Sequence, residues 1–272
     1  MRVGFIGLGS QGGPMARRIA ESEYPTTLWA RRAASLEPYA DTPAATADSP
    51  AALAERSDLV CLCVVGDADV REVVTGDNGV LAGSKPGSII AIHSTVHPDT
   101  CRELAALAAE HQVSIIDAPV SGGGRAAEAG NLLVMVGGTT DAVERARPVF
   151  ATYADPIVHL GDLGAGQSTK LLNNLLFTAN LATAMSTMDL GKALGISPDK
   201  LGEVISHGTA NSFALGRITS AGGTLDRLAQ HAGDLLRKDV SLVARLAETA
   251  GVDPGVVLNA ADATLGMMDH PR

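Results

Sequence analysis

The feature that most constrains the fold is a change of periodicity near residue 160. Before it, short apolar runs alternate with helical patterns: "VGFI" from Val3, "TTLW" from Thr26, "LVCLCVV" from Leu59, "SIIAI" from Ser88, "VSIID" from Val113, "LLVMV" from Leu132 and "PIVHL" from Pro156. Apolar runs separated by amphipathic segments predict strands of a mostly parallel sheet covered by helices. Helix starts are marked at Ser49-Pro50 and His97-Pro98-Asp99; proline suits the first helical position because its missing N–H would have no partner there. After Gly166 the strand signal stops, and helical patterns cover residues 167–194, 197–207, 225–250 and 254–268. The expected organisation is an α/β domain over residues 1–162 and an all-α domain over 163–272, joined by a long helix rather than a loose linker. That arrangement predicts a cleft between sheet edge and helical domain, with Lys170 close to it.

Charge and cysteine usage narrow the class. The formal net charge is −9 and no run of Lys or Arg forms a basic face, so nucleic acid and anionic membrane are poor partners. The apolar stretch Leu171 to Met188 contains Asn, Thr and Ser, which argues against a membrane span. The N-terminus lacks the charged region and cleavage site of a signal peptide. Cys61, Cys63 and Cys101 have no metal-ligand or redox spacing and read as reduced thiols of a cytoplasmic protein. No metal is expected, and the chain is expected to act on a small molecule as a homodimer or homotetramer.

"VGFIGLGSQGGPMARRIA" places Gly7, Gly9 and Gly12, with Leu8, Ser10 and Gln11 between them, directly after a strand and before a helix. In that context G-x-G-x-x-G reads as a dinucleotide fingerprint, in which glycines let the backbone approach a pyrophosphate at the helix N-terminus. The end of the second strand carries no acid to bond a ribose 2′-hydroxyl; it reads "LWARR", with Arg31 and Arg32. Arginine pairs with a 2′-phosphate, so NADP is expected over NAD, with Arg31 the better candidate. The alternative is that both arginines are simply solvated.

Between Asp162 and Asp189 the only charged side chain is Lys170, with Asn173 and Asn174 one turn further along the helix. A lysine near a helix start is unfavourably placed for the helix dipole, so a functional reason is expected; a snorkelling lysine is the bland alternative. A second glycine-rich loop, Ser121-Gly122-Gly123-Gly124, follows a strand end and could hold an anion with its N–H groups and hydroxyl.

Four motifs in order, "GFIGLGSQGGPMA", "HSTVHP", "DAPVSGGGRAAEAGNLLVMVGG" and "GAGQSTKLLNN", with a weaker "RKD" at Arg237 to Asp239, resemble the β-hydroxyacid dehydrogenase family, which includes 3-hydroxyisobutyrate dehydrogenase and related semialdehyde reductases. The resemblance implies a Rossmann-like N-terminal domain, an all-helical C-terminal domain and a small acid as substrate. It implies that Lys170 is the catalytic lysine, supported by Asn174 and Asn173. Ser121, Gly122 and Gly123 would hold the substrate carboxylate. Thr95, Val64 and Val65 would border the nicotinamide, and Lys238 would lie near cofactor and substrate. A hydride transfer at a hydroxyl-bearing carbon must also move a proton, which a lysine within hydrogen-bond reach can accept or donate. An imine reductase shares this architecture, but another residue typically stands at the lysine position; a non-catalytic NADP-binding module is the other alternative.

The departures are Gln11 and Ile92, where family members usually have Met and Asp, and His93, which reads as a packed or hydrogen-bonded residue rather than a second acid. The sequence closes at "MMDHPR", short of the family's last helical segment, and a more open pocket is expected.

Overall fold

A computed structural model describes residues 1–272, which form two compact units, Met1–Lys170 and Leu171–Arg272. The first unit contains β1 (Val3–Ile6), α1 (Gly12–Ala20), β2 (Thr26–Trp29), β3 (Ala45–Thr46), α2 (Pro50–Ala54), β4 (Leu59–Leu62), α3 (Asp67–Thr75), α4 (Val80–Gly83) and β5 (Ile89–Ile92). It continues with α5 (Pro98–Glu110), β6 (Ser114–Asp117), β7 (Val120–Ser121), α6 (Gly123–Ala129), β8 (Leu132–Val136), α7 (Thr140–Phe150) and β9 (Ala154–His159). The long helix α8 (Ala165–Ala193) starts in this unit and runs into the second, where α9 (Pro198–His207), α10 (Phe213–Ser220), α11 (Asp226–Ala250) and α12 (Gly255–Met267) follow.

Six strands form a parallel sheet in the order β3-β2-β1-β4-β5-β6. This is the doubly wound, Rossmann-like arrangement, whose order reverses between β1 and β4; ligands of such sheets bind beyond the carboxyl ends of the strands at that switch point. The central strands β1, β4 and β5 read as apolar runs because both faces are buried. In β5, Ile89 and Ala91 enter one core with Phe5 and Cys61, whereas Ile90 and Ile92 enter the other with Val60 and Leu62. Ser49 caps α2 by accepting a hydrogen bond from the N–H of Ala52 (3.0 Å).

Two expectations need correction. The apolar runs do not all join one sheet: β8 and β9 pair in parallel with each other, and β8 pairs antiparallel with β7, in a separate three-stranded sheet. The cause lies after β6, where only Ala118 and Pro119 precede β7. A parallel neighbour needs a crossover of roughly a dozen residues, so β7 cannot re-enter the parallel sheet. The second correction is α10, absent from the helical pattern read in the sequence. Ser212 caps it by accepting from the N–H of Leu215 (3.2 Å), and Ala214, Leu215 and Ile218 are its buried face. The helical unit is otherwise organised around Leu171, Leu175, Leu181, Val240 and Leu265. No helix is long and apolar enough to cross a membrane.

Candidate functional site

In the first unit, candidate residues gather beyond the carboxyl ends of β1, β4, β5 and β6. Gly7 follows β1 with φ +101°, and a Cβ there would lie 2.2 Å from the carbonyl oxygen of Cys63 after β4. A Cβ on Gly12 would lie 2.0 Å from the carbonyl oxygen of Gly7, whereas Gly9 faces open space. A tight turn, a close helix approach and an open backbone between them are what a pyrophosphate at the N-terminus of α1 requires. Leu8 packs toward the core, Ser10 is exposed, and the Gln11 amide lies 3.7 Å from the Met15 sulfur. The second glycine loop rests on the first, because a Cβ on Gly124 would lie 2.7 Å from the carbonyl oxygen of Ser10.

Arg31 and Arg32 are both exposed just beyond β2. Arg31 is not idle: its Nη2 lies 2.8 Å from Asp69 Oδ1 and 2.7 Å from Glu72 Oε2, both on α3. Past β4, Val64 is half-buried and Val65 exposed. The N–H of Val64 donates to Ser94 Oγ (2.8 Å), which fixes this loop to the segment following β5.

That segment, Ser94-Thr95-Val96, is held by a residue the sequence reading did not single out. Gln167, fully buried in α8, donates from Nε2 to the carbonyl of Ser94 (2.8 Å) and accepts at Oε1 from the N–H of Val96 (3.1 Å). Asp117, the last residue of β6, is also fully buried. Its carboxylate accepts from the N–H of Gly164 (2.7 Å) and the N–H of Gln167 (2.6 Å), capping the start of α8. Burial raises the Asp117 carboxyl above its ordinary value, and these backbone donors oppose the shift. Lys170, 9% exposed, lies one turn beyond Gln167. Ser121 ends β7, paired opposite Leu133, and Gly122 and Gly123 follow it with φ of +129° and +76°, conformations that favour glycine.

His93 is packed among aromatic rings. Its ring stacks on Phe5 and meets Phe150 and Tyr153 edge-on. Burial lowers its pKa to about 4. Burial acts on the cysteines too, pushing the Cys63 thiol up to about 12 and Cys61 and Cys101 upward, which disfavours the thiolate. No group of three or more His, Cys, Asp or Glu could hold a metal.

In the helical unit, Asn174 Nδ2 donates to Asp239 Oδ2 (2.6 Å), and Asn173 donates to Asn174 Oδ1 (3.1 Å). Asp239 is 4% exposed on α11, and Lys238 Nζ lies 3.1 Å from its Oδ1. Asp239 was also missed as a site candidate. Its signal is an acid set between Leu236 and Val240, both on the buried face of α11.

Comparison with known proteins shows the family and the fold. Residues 2–161 match the family model for the NAD-binding domain of 6-phosphogluconate dehydrogenase, and residues 164–269 match that for the NAD-binding domain of NADP-dependent 3-hydroxyisobutyrate dehydrogenase. An uncharacterised oxidoreductase of Mycobacterium tuberculosis is 36% identical over 260 residues, 93% of this chain and 88% of its own. Among solved structures, M. tuberculosis 3-hydroxyisobutyrate dehydrogenase with L-serine superposes with TM-score 0.86 at 28% identity, covering 99% of this chain and 95% of its own. Psf3 in complex with NADP+ and 2-OPP superposes with TM-score 0.84 at 27% identity, covering 98% of this chain and 93% of its own.

Proposed function

Since the chain belongs to the β-hydroxyacid dehydrogenase family of NAD(P)-dependent oxidoreductases, we propose that it transfers a hydride between NADP(H) and a small 3-hydroxy acid or its semialdehyde, with Lys170 as general acid and base. The observation that carries this reading is Lys170 itself, a 9% exposed lysine in the first turns of a helix whose start is fixed beyond the switch-point sheet. The N-terminal end of a helix dipole disfavours a cation, and no other charged side chain stands between Asp162 and Asp189. A buried lysine in that place supports a chemical role.

When bound, the nicotinamide supplies or accepts the hydride. The remaining tasks fall to the protein. Gly7 to Gly12 would cradle the pyrophosphate at the N-terminus of α1. Ser121, Gly122 and Gly123 would receive the substrate carboxylate, and Thr95, Val64 and Val65 would border the reacting ring. Lys170 would take the hydroxyl proton during oxidation and return it during reduction. Asn174 and Asn173 would orient the substrate oxygen without adding charge, and Lys238 would lie near both ligands. Preference for NADP rests on Arg31 and Arg32 standing where an NAD-selective strand end would carry an acid. An imine reductase is disfavoured because Lys170 is present, and a non-catalytic binding module because Lys170, Asn174 and Ser121 are all intact.

The test is a panel of small 3-hydroxy acids and semialdehydes with both cofactors, read by absorbance of the reduced nicotinamide, on the wild type and Lys170→Met. Methionine keeps length and helix propensity while deleting the charge. Loss of a positioned acid/base costs roughly 10²–10⁴-fold in rate, so turnover should nearly vanish while NADPH binding persists. A folded Lys170→Met enzyme turning over at near wild-type kcat would sink the proposal.

A further inference from the structure

We infer that Gln167 is a positioning residue for the reaction, a carboxamide clamp that sets Thr95 and the Lys170-bearing turn in register. The inference rests on the reading of Lys170 as acid/base. The two ends of the Gln167 amide take the carbonyl of Ser94 and the N–H of Val96, so the backbone is gripped on both sides of Thr95. The main-chain N–H of the same residue is taken by Asp117 at 2.6 Å. Ser94, in turn, accepts from the N–H of Val64 at 2.8 Å. One residue therefore joins the end of β6 and the loop following β5, and through Ser94 the loop following β4, to the first turn of α8. Lys170 is three positions further on, a neighbour on the same helix face.

The chemistry of the clamp is specific. A 0% exposed amide carries a burial penalty unless both its donor and its acceptor are met. An aliphatic residue would fill the volume of a helix start without that risk. An amide of this length is the uncharged side chain that can both donate to one peptide group and accept from the next but one. Methionine offers neither function, asparagine is a methylene short, and ionised glutamate loses the donor and turns an oxygen toward the Ser94 carbonyl. What the amide gains over an apolar residue is fixed geometry, and proton transfer is sensitive to geometry: displacement by about 1 Å can cost on the order of 10²-fold in rate.

Gln167→Met and Gln167→Glu test this, with Lys170→Met as the control, by measuring Tm, NADPH affinity, kcat and KM across pH. Gln167→Met should lower kcat by roughly 10- to 100-fold, with KM for the acid and the affinity for NADPH changed little. Gln167→Glu should be equally poor at neutral pH. Its kcat relative to wild type should recover as pH falls, because the protonated carboxyl again offers an O–H to Ser94 and an oxygen to Val96. A merely structural role would lower Tm but leave kcat of the folded protein and its pH profile as in wild type; that outcome overturns the inference, as does failure of both variants to fold. If Lys170→Met is inactive while both Gln167 variants keep wild-type kcat, positioning fails and the acid/base reading stands. If Lys170→Met remains active, the acid/base reading is the one that fails.

Discussion

Tyr153 donates its hydroxyl proton to Nε2 of His93 across 3.2 Å, and the opposite ring nitrogen, Nδ1, donates to the carbonyl of Ala118 at 2.6 Å. Because a carbonyl can only accept, the proton sits on Nδ1 and the neutral ring uses both nitrogens. This explains the unusual histidine of the "HSTVHP" segment as a packed, satisfied core residue rather than a second acid.

The same burial makes His93 a source of acid sensitivity. Its folded-state pKa is about 4, below the ordinary value of 6.5. The unfolded chain therefore takes up a proton first as pH drops, and stability present above pH 6.5 is lost down to about pH 4, below which the loss levels off. The contribution is about 3 kcal/mol. Gln in its place keeps a donor and an acceptor but does not titrate, so His93→Gln should lose this part of the pH slope while retaining kcat within a few-fold at neutral pH. Denaturant melts between pH 4 and 7 check it; an unchanged slope contradicts the assignment.

Arg31 is the residue proposed to read a 2′-phosphate, and its partners in the structure are Asp69 and Glu72 of α3. Arg31→Ala should weaken NADPH about ten- to a hundred-fold, the loss of roughly 1.5–3 kcal/mol expected for a hydrogen bond to a charged group, and leave NADH nearly unaffected. The ion pairs of Arg31 with Asp69 and Glu72 are solvent-exposed contacts of the kind worth under about 1 kcal/mol, so Glu72→Gln should tighten NADPH only a few-fold. Fluorescence titration with both cofactors decides; equal losses for NADH and NADPH in Arg31→Ala mean that Arg31 does not read the phosphate.

The carboxylate site proposed at Ser121 has its own signature. Ser121→Ala should raise KM for 3-hydroxy acids and leave NADPH affinity intact, since the change deletes one hydroxyl at the end of β7 and leaves the proposed pyrophosphate loop Gly7 to Gly12 unaltered. A neutral aldehyde lacking the carboxylate should be indifferent to the change. Equal damage with charged and neutral substrates would make the loop structural.

How much of this could be read from the sequence depends on whether a residue's reason is local. The strands β1, β4 and β5 were legible because burial on both faces leaves unbroken apolar runs, and α2, α5 and α9 because proline sits at their first turn. The short α10 was not, since Gly216 interrupts its pattern and glycines flank it. Short apolar runs identified β8 and β9 as strands, yet such runs carry no information about which neighbour a strand chooses. Lys170 stood out because its surroundings in sequence are uncharged. Gln167 and Asp117 did not, because their partners lie 71 and 73 residues away for the Gln167 side chain and 47 and 50 for Asp117. A buried polar residue with remote partners looks, in sequence, like any surface one.

Asn174 and Asp239 make the last case, because their pairing has consequences for both stability and turnover. The Asp239 carboxylate is 4% exposed and takes the Asn174 amide at 2.6 Å. Removing that donor with Asn174→Leu leaves a buried carboxylate short of a partner, a loss of roughly 1.5–3 kcal/mol for a hydrogen bond to a charged group. Asp239→Leu should likewise destabilise, leaving the half-buried Asn174 amide short of its acceptor and Lys238 without its carboxylate. The double variant Asn174→Leu/Asp239→Leu places two apolar groups of similar shape where the pair stood, and such replacements can be nearly neutral. Its stability should exceed the sum of the single losses by at least about 1 kcal/mol, the coupling expected of residues in one network. Turnover should not return with it, because the amide proposed to orient the substrate oxygen is gone. Urea melts of the four proteins give the coupling, and kcat of each gives the catalytic arm. Additive losses would show that the two residues stabilise the helical unit independently, and recovery of kcat in the double variant would remove Asn174 from the reaction.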